Sequence, residues 1–315
     1  MKTLLTVAGL TLLSALGVAA WQRGGANDLS WAIPVIDKDL PHIQDDGKPK
    51  RIPGSDKAYT QAEIDNHFDP PDWFPNEHPR WPKSVQYGNP PIAQGCASCH
   101  LSNGLGHPES ANLAGLPAAF MIRQMADFKN GIRKESEPMN AFAKNLSDQD
   151  ARQASEYFAE LKPAVWYKVI EAKMVPKTYV NPAYMRLPRP GGAVEPIGNR
   201  IVTVPQDVDR TESRDPHSGF IAYVPPGSLK RGEALVKGGG GKTVACDICH
   251  GPGLKGLAEV PGIAGQHPIY IVRQLYKFQN GKNGGTWAQL MKAPAAKLTG
   301  DDIISIAAYV ASLAP

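Results

Sequence analysis

The sequence of 315 residues is poor in cysteine, in net charge and in long apolar segments. It has 4 cysteines and a formal net charge of +4, from 34 Lys and Arg against 30 Asp and Glu. This balance argues against a nucleic-acid-binding protein, which would carry a basic stripe or a domain of high pI. Past the N-terminus, no segment is apolar and long enough to cross a bilayer. The few cysteines are therefore the first candidates for a functional site.

All four cysteines lie in two copies of one short motif, Cys-x-x-Cys-His. The copies are Cys96, Cys99 and His100, and then Cys246, Cys249 and His250. The spacing is the c-type haem attachment pattern, because two thiols can bond to the vinyl groups of one haem while the adjacent imidazole takes an axial position on the iron. The sequence therefore predicts two covalently bound haem c groups.

Three other interpretations of the cysteines fit less well. A structural zinc site places its Cys-x-x-Cys pairs roughly 15–20 residues apart, whereas most of the chain separates Cys99 from Cys246. A thioredoxin-like pair needs a βαβ context, and the flanking glycines do not indicate strands. Structural disulfides are compatible with an even cysteine count, but they do not require a histidine after each second cysteine.

The N-terminus has the pattern of a secretory signal. Lys2 precedes an apolar run from Leu4 to Val18, and small residues follow up to Ala20. We expect residues 1–20 to be cleaved and the mature protein to be exported. The alternative is an uncleaved anchor, since the run approaches the lower limit for a spanning helix, and membrane association is expected only in that case.

Residues 85–163 and 228–315 form an internal repeat. Adding 150 to the residue number aligns the two motifs and the segments up to Asn-Gly, and adding 152 aligns the later segments. The aligned pairs include Arg123-Gln124 with Arg273-Gln274, Phe128 with Phe278, Met139 with Met291, and Tyr157 with Tyr309. The chain thus contains a duplicated domain of about 80 residues, which is a small core without a cofactor.

Each repeat shows helical periodicity. Apolar residues at helical spacing predict helices over Phe120–Phe128 and Tyr270–Phe278, each stopped by Asn-Gly. Ser147 and Thr299 are predicted N-caps of final helices that end near residues 161 and 313.

The repeat also selects candidates for a second axial ligand. The first copy offers His107, Met121, Met125 and Met139, and the equivalent residues of the second copy are Leu257, Ile271, Leu275 and Met291. Leu and Ile cannot bind iron, so Met139 and Met291 are the pair that offers a thioether in both copies. Ordinary core packing is the alternative role for both methionines. Nearby prolines place them in predicted loops.

Two proline-rich segments flank the repeats. The arm, residues 21–84, is expected to cover a haem domain through Trp31, Trp73 and Trp81, with one short helix in 60–67. The alternative role of the arm is a docking surface for a redox partner. The linker, residues 164–227, is expected to be mostly irregular and to lie across both domains. Two short strands are predicted within it, at 200–204 and 219–224.

These motifs resemble class I cytochrome c, and the two copies are similar to di-haem bacterial periplasmic cytochromes. The resemblance implies a mainly α fold of two tandem cytochrome c domains, with a Pro-rich N-terminal arm and a long irregular linker added. It also implies thioether bonds at the four cysteines, proximal ligands His100 and His250, distal ligands Met139 and Met291, and a periplasmic location.

Iron held by His and Met has no open position and changes by one electron. The expected function is therefore an electron carrier, not an enzyme, between a dehydrogenase or cytochrome complex as donor and a terminal oxidase or reductase as acceptor. One alternative is an electron-transfer subunit of a periplasmic dehydrogenase complex. Another is a di-haem enzyme, a peroxidase or an oxidase of a sulfur compound, with one open haem.

Overall fold

The computed structural model describes residues 28–40, 43–134 and 138–315, and the predicted signal segment 1–20 lies outside these ranges. The fold is mainly α, and two helical repeats flank a small β region. Among the described residues, no helix is long and apolar enough to cross a membrane.

The first repeat contains five helices, and its two longest helices form its core. The helices are α2 Lys83–Gln86, α3 Ala97–His100, α4 Ala118–Lys129, α5 Met139–Lys144 and α6 Asp148–Glu160. As predicted, Ser147 caps α6 by accepting a hydrogen bond from the Asp150 amide. The predicted stop of α4 is also confirmed, because Gly131 has a φ of 69° directly after the C-cap.

The second repeat has the same order of helices. They are α8 Ser228–Gly238, α9 Asp247–His250, α10 Pro268–Gln279, α11 Ala288–Ala296 and α12 Gly300–Ser312. Helices α4 and α10 have 12 residues each, and α6 and α12 have 13 each. Thr299 and Asp302 form a capping box at α12, which confirms the predicted N-cap. The duplication seen in the sequence is therefore a duplication of structure.

The segments that hold Met139 and Met291 differ from the prediction, because both methionines lie in short helices rather than loops. Pro138 occupies the N-cap of α5, where a missing N–H breaks no helical hydrogen bond. Pro294 lies in the last turn of α11, where it removes one bond without ending the helix early.

The linker is more regular than predicted, since it holds seven strands and one helix. These are β1 Tyr167–Glu171, β2 Met174–Pro176, β3 Thr178–Val180, β4 Arg186–Pro188, β5 Val194–Pro196, β6 Val202–Pro205, α7 Val208–Glu212 and β7 Phe220–Val224. The predicted pairing is confirmed, because β6 and β7 are antiparallel neighbours. Strand β1 joins the other edge of β7 in parallel, and two separate pairs, β2 with β5 and β3 with β4, complete the region.

The arm folds against the first repeat and the linker. Its helix α1, Gln61–Ile64, begins with the capping box of Thr60 and Glu63. Trp73, 1% exposed, donates from Nε1 to the Ser213 carbonyl at 2.8 Å. Trp81 donates to the Tyr157 hydroxyl at 3.0 Å. These two tryptophans thus pack the arm against the linker and the first repeat, in keeping with the predicted covering role of the arm.

One apolar core runs through both repeats and the linker. It joins Phe158 of α6 and Ile303 of α12 to Trp166 and Phe220 of the β region. Helices α8 and α12 approach closely at Gly232, where a Cβ would lie 2.0 Å from the Ser305 carbonyl oxygen. Because the core is shared, the linker holds the two repeats in one arrangement.

Candidate haem sites

Each Cys-x-x-Cys-His motif forms a single helical turn. The first cysteine is the N-cap, and the histidine amide donates to its carbonyl at 2.9 Å in both copies, at His100 to Cys96 and at His250 to Cys246. Residues three and four apart share one face of a helix. The two sulfurs and the imidazole of each motif are therefore presented on the same side of one turn.

The two motif histidines have the same hydrogen-bond partner type at the same distance along the chain. His100 Nδ1 lies 2.9 Å from the Ala111 carbonyl oxygen, and His250 Nδ1 lies 2.8 Å from that of Pro261. A carbonyl only accepts, so Nδ1 carries the proton and the Nε2 lone pair is available to a metal. This is the usual arrangement behind a metal-ligating histidine.

Burial keeps both imidazoles neutral. It lowers the pKa of His100 to about 4 and lowers the pKa of His250 from its ordinary value. Neutral imidazole is the form that binds a metal. Both motifs are therefore in the protonation state that axial ligation requires.

The second motif lies beside a large apolar cavity. The cavity has a volume of ≈ 360 Å³, and its lining includes Cys246, Cys249, His250 and Met291. Phe278 of α10 and Leu298, before α12, add apolar surface. The structure thus brings together the four residues predicted from the second repeat, in surroundings that fit a flat apolar group with a metal at its centre.

The first motif is in more crowded surroundings. His100 packs edge-on against Phe158, with ring centroids 5.9 Å apart. Met139 is half-buried as the first residue of α5. The group placed beside Cys99 is the buried ring of His107, whose Nδ1 is 3.5 Å from Glu109 Oε2. Burial acts to raise the pKa of the Cys99 thiol, but its interactions with His107, Ser98 and Arg214 together outweigh burial and the pKa is lowered.

The repeats meet at residues that are equivalent in the two copies. Arg133 donates from Nη1 to Gln124 Oε1 at 2.6 Å and from Nη2 to Gln274 Oε1 at 2.9 Å. Arg133 also forms an isolated bridge with its own repeat equivalent, Asn283. Because these four side chains line the cavity beside the second motif, the first repeat forms part of that site.

A second pair of equivalent contacts crosses the same boundary. Arg123 pairs with Glu259 at 2.5 Å, and its equivalent Arg273 donates to the Glu109 carbonyl at 3.0 Å. The matching Arg-Gln dipeptides were visible in the sequence, but nothing in it showed that they join the repeats. The linker residue Arg214, which contacts the first motif, has no repeat equivalent and no sequence signal.

Comparison with known proteins agrees with this geometry. Residues 85–158 match the family model "Cytochrome C oxidase, cbb3-type, subunit III". The chain is 36% identical over 72 residues to cytochrome c-554(548) of Halomonas halodenitrificans, covering 87% of that protein and 22% of this chain. The chain belongs to the class I cytochromes c.

Two relatives match about two thirds of the length of this di-haem cytochrome or slightly more. Cytochrome c4 of Pseudomonas aeruginosa is 27% identical over 226 residues, which is 69% of this chain and 83% of the relative. The "Thiosulfate dehydrogenase electron acceptor" of Thiomonas intermedia is 26% identical over 226 residues, covering 71% and 80%. The cytochrome carries two covalently bound haem c groups, and its function is electron transfer.

Proposed function

We propose that this chain is an exported, periplasmic carrier of single electrons whose two iron sites are each closed by one His and one Met. Cys96, Cys99, Cys246 and Cys249 form the thioether bonds, and the axial pairs are His100 with Met139 and His250 with Met291. The observation that carries the proposal is the shared orientation of the two histidines, each with Nδ1 held by a backbone carbonyl.

The protein's residues limit the sites to electron transfer. When bound, haem c supplies an iron that changes between ferric and ferrous states by one electron. With one histidine and one methionine holding the iron, no position would remain for oxygen or peroxide. A methionine sulfur bound to the iron would raise its reduction potential.

The partners are redox proteins on both sides of the carrier. A dehydrogenase or a cytochrome complex supplies the electron, and a terminal oxidase or reductase accepts it. A more specific candidate is the role of electron acceptor for a dehydrogenase of a small sulfur compound. The likeness to a thiosulfate dehydrogenase electron acceptor over 226 residues favours this candidate. Reduction of the purified cytochrome by such a dehydrogenase plus thiosulfate tests it, and no reduction above the enzyme-free rate removes it.

Substitution of the methionines tests the ligand assignment. We expect the holoprotein to show two low-spin haems and the weak far-red absorption of ferric haem with Met ligation. Met139→Ala and Met291→Ala should each remove one of the two contributions to this band and lower one of the two reduction potentials. Absorption spectra and redox titration measure both effects.

Two variants make this test specific. Met125→Ala in α4 is the matched control for the loss of a half-buried methionine, and it should leave the band unchanged. His107→Ala removes the buried imidazole beside Cys99. If His107→Ala abolishes one low-spin haem while Met139→Ala does not, the first axial pair is His100 with His107 and the proposal is wrong at that site.

A further inference from the structure

The two Cys-x-x-Cys-His turns, residues 96–100 and 246–250, are called the first and second attachment loops. They differ sharply in solvent exposure. In the first, Ser98 is fully buried at 0% exposure, whereas its equivalent in the second, Ile248, is 68% exposed. Cys249 is exposed, while Cys99 is only half-buried. The motif is therefore covered by other parts of the protein in the first repeat and exposed to solvent in the second.

The arm and the linker close the first loop, and Arg214 connects all three segments. Its Nε donates to the Ile64 carbonyl of the arm at 3.0 Å, and its Nη1 donates to the Ser98 carbonyl inside the first motif. Beside it, the Gly95 amide donates to the His67 carbonyl at 2.9 Å. Asn103, just past the motif, donates to the Pro216 carbonyl at 2.5 Å.

The backbone at Arg214 is held in a strained conformation. Its φ is 56°, in the left-handed region that non-glycine residues rarely occupy. The residue follows the C-terminus of α7, and its amide donates to the Thr211 carbonyl at 2.9 Å. A glycine or asparagine would end this helix with less backbone strain. The contacts of the arginine side chain therefore explain why an arginine occupies this position.

The Arg214 guanidinium brings a positive charge into this closed space. Arg214 is 4% exposed. Burial lowers the pKa of its guanidinium from the ordinary value, and the charge of Asp65 acts in the opposite direction. An arginine is not deprotonated in proteins, so the charge persists. Burying it is expensive, and its contacts with the Ile64 and Ser98 carbonyls and with His67 Nδ1, 3.5 Å from Nη2, do not require a full charge.

A fixed positive charge and exclusion of water both act on a nearby redox centre. Positive charge opposes the additional positive charge of the oxidised metal, and a low dielectric strengthens that effect. We propose that Arg214 is a positioning residue for the first haem site, which closes its attachment loop and holds a positive charge against it, so that the first site has the higher reduction potential. The inference rests on the proposed function.

Two substitutions separate the charge from the crosslink. Arg214→Gln removes the charge, whereas Arg214→Lys keeps it but loses the fork that bonds two carbonyls at once. Arg200→Gln is the matched control, since Arg200 is a half-buried linker arginine that bonds Glu195 at 2.6 Å, away from either motif. All variants are studied as the full-length holoprotein.

Redox titration and hydrogen exchange provide the readouts. In Arg214→Gln the reduction equilibrium of the first site should fall about tenfold, which is ~59 mV for one electron, while the second site is unchanged. Arg214→Lys, which keeps the charge but loosens the loop, should lower the first potential by less than Arg214→Gln does. In both variants the amides of residues 95–101 should exchange at least about tenfold faster, with residues 245–251 as the internal reference.

The results that overturn the inference are distinct. Unchanged potentials in Arg214→Gln, or equal shifts at both sites, show that Arg214 does not set the first potential. An unchanged exchange rate in Arg214→Lys shows that it does not close the loop, and this variant suffices if the glutamine variant fails to fold. Met291→Ala identifies which titration step belongs to the second site. Retention of two low-spin spectra separates a failure here from a failure of the ligand assignment.

Discussion

The two repeats have their helices in the same order but differ in what surrounds them. Helices α4 and α6 match α10 and α12 in length, and both motif histidines bond a carbonyl through Nδ1. Around the first repeat, however, the arm and linker bury the attachment loop, whereas the second loop is open and lies beside a cavity. The added segments, rather than the duplicated domains, therefore make the two sites unequal.

The contacts between the repeats show the same inequality. Arg123 and Glu259 form an ion pair whose side chains are 29% and 48% exposed. In the equivalent pair, Arg273 is 7% exposed, and the Glu109 side chain is 3% exposed and bonded by Arg186 of β4. Arg273 also donates to the Ala32 carbonyl of the arm at 3.2 Å. The contact at Arg273 is thus part of a buried hydrogen-bond network, whereas the equivalent contact at Arg123 is a partly exposed ion pair.

The largest expected effect comes from truncating these two arginines. Arg273→Ala should lower the free energy of unfolding by about 2–4 kcal/mol, because it leaves two buried carbonyl acceptors, those of Ala32 and Glu109, without this donor. Arg123→Ala, the matched variant, should lower it by about 1 kcal/mol or less, since exposed ion pairs are weak. Guanidinium chloride unfolding of the holoproteins measures both. Equal losses would show that burial does not distinguish the two contacts.

Exchanging the equivalent residues Ser98 and Ile248 should give an intermediate effect. Ser98→Ile places a large side chain in filled space and should destabilise the protein by about 1–3 kcal/mol. Ile248→Ser acts on an exposed residue and should change stability by no more than about 0.5 kcal/mol. Denaturation midpoints of the two single variants check this. A well-tolerated Ser98→Ile would contradict a tightly closed first loop.

The smallest expected effect concerns the arm and depends on pH. Burial acts against the charged form of His78, but the hydrogen bonds to Asp72, at 3.0 Å, and to the Pro79 carbonyl, together with the nearby carboxylate charges, outweigh it, so the pKa of His78 is raised above 6.5. The charged pair therefore contributes stability that is fully present below pH 6.5 and is lost as the pH rises through the raised pKa.

The variants His78→Gln and Asp72→Asn should reveal this contribution. Each should destabilise the holoprotein by about 1 kcal/mol or less at pH 5.5, and by less at pH 9. Thermal unfolding at the two pH values checks the prediction. A loss that is independent of pH, or larger at pH 9, would assign the role of His78 to its stacking on Trp81, 5.3 Å away between ring centroids.

Much of the helical framework could be predicted because its signals are local. The caps at Ser147 and Thr299 and the Asn-Gly stops depend on residues within one turn of each helix end. The short helices at Met139 and Met291 could not be predicted from sequence, since nearby prolines usually disfavour helix. The regularity of the linker could not be predicted either, because its parallel pairing of β1 with β7 joins residues distant in sequence.

The sequence by itself determined the attachment motifs, the duplication and the order of helices, because each depends on residue spacing along the chain. Only the tertiary structure decided that the repeats are unequal. Arg214 meets Ser98 and Ile64 across 116 and 150 residues, and Arg273 meets Ala32 across 241. Burial and charge at a site depend on which distant segments cover it, and local sequence carries no record of that cover.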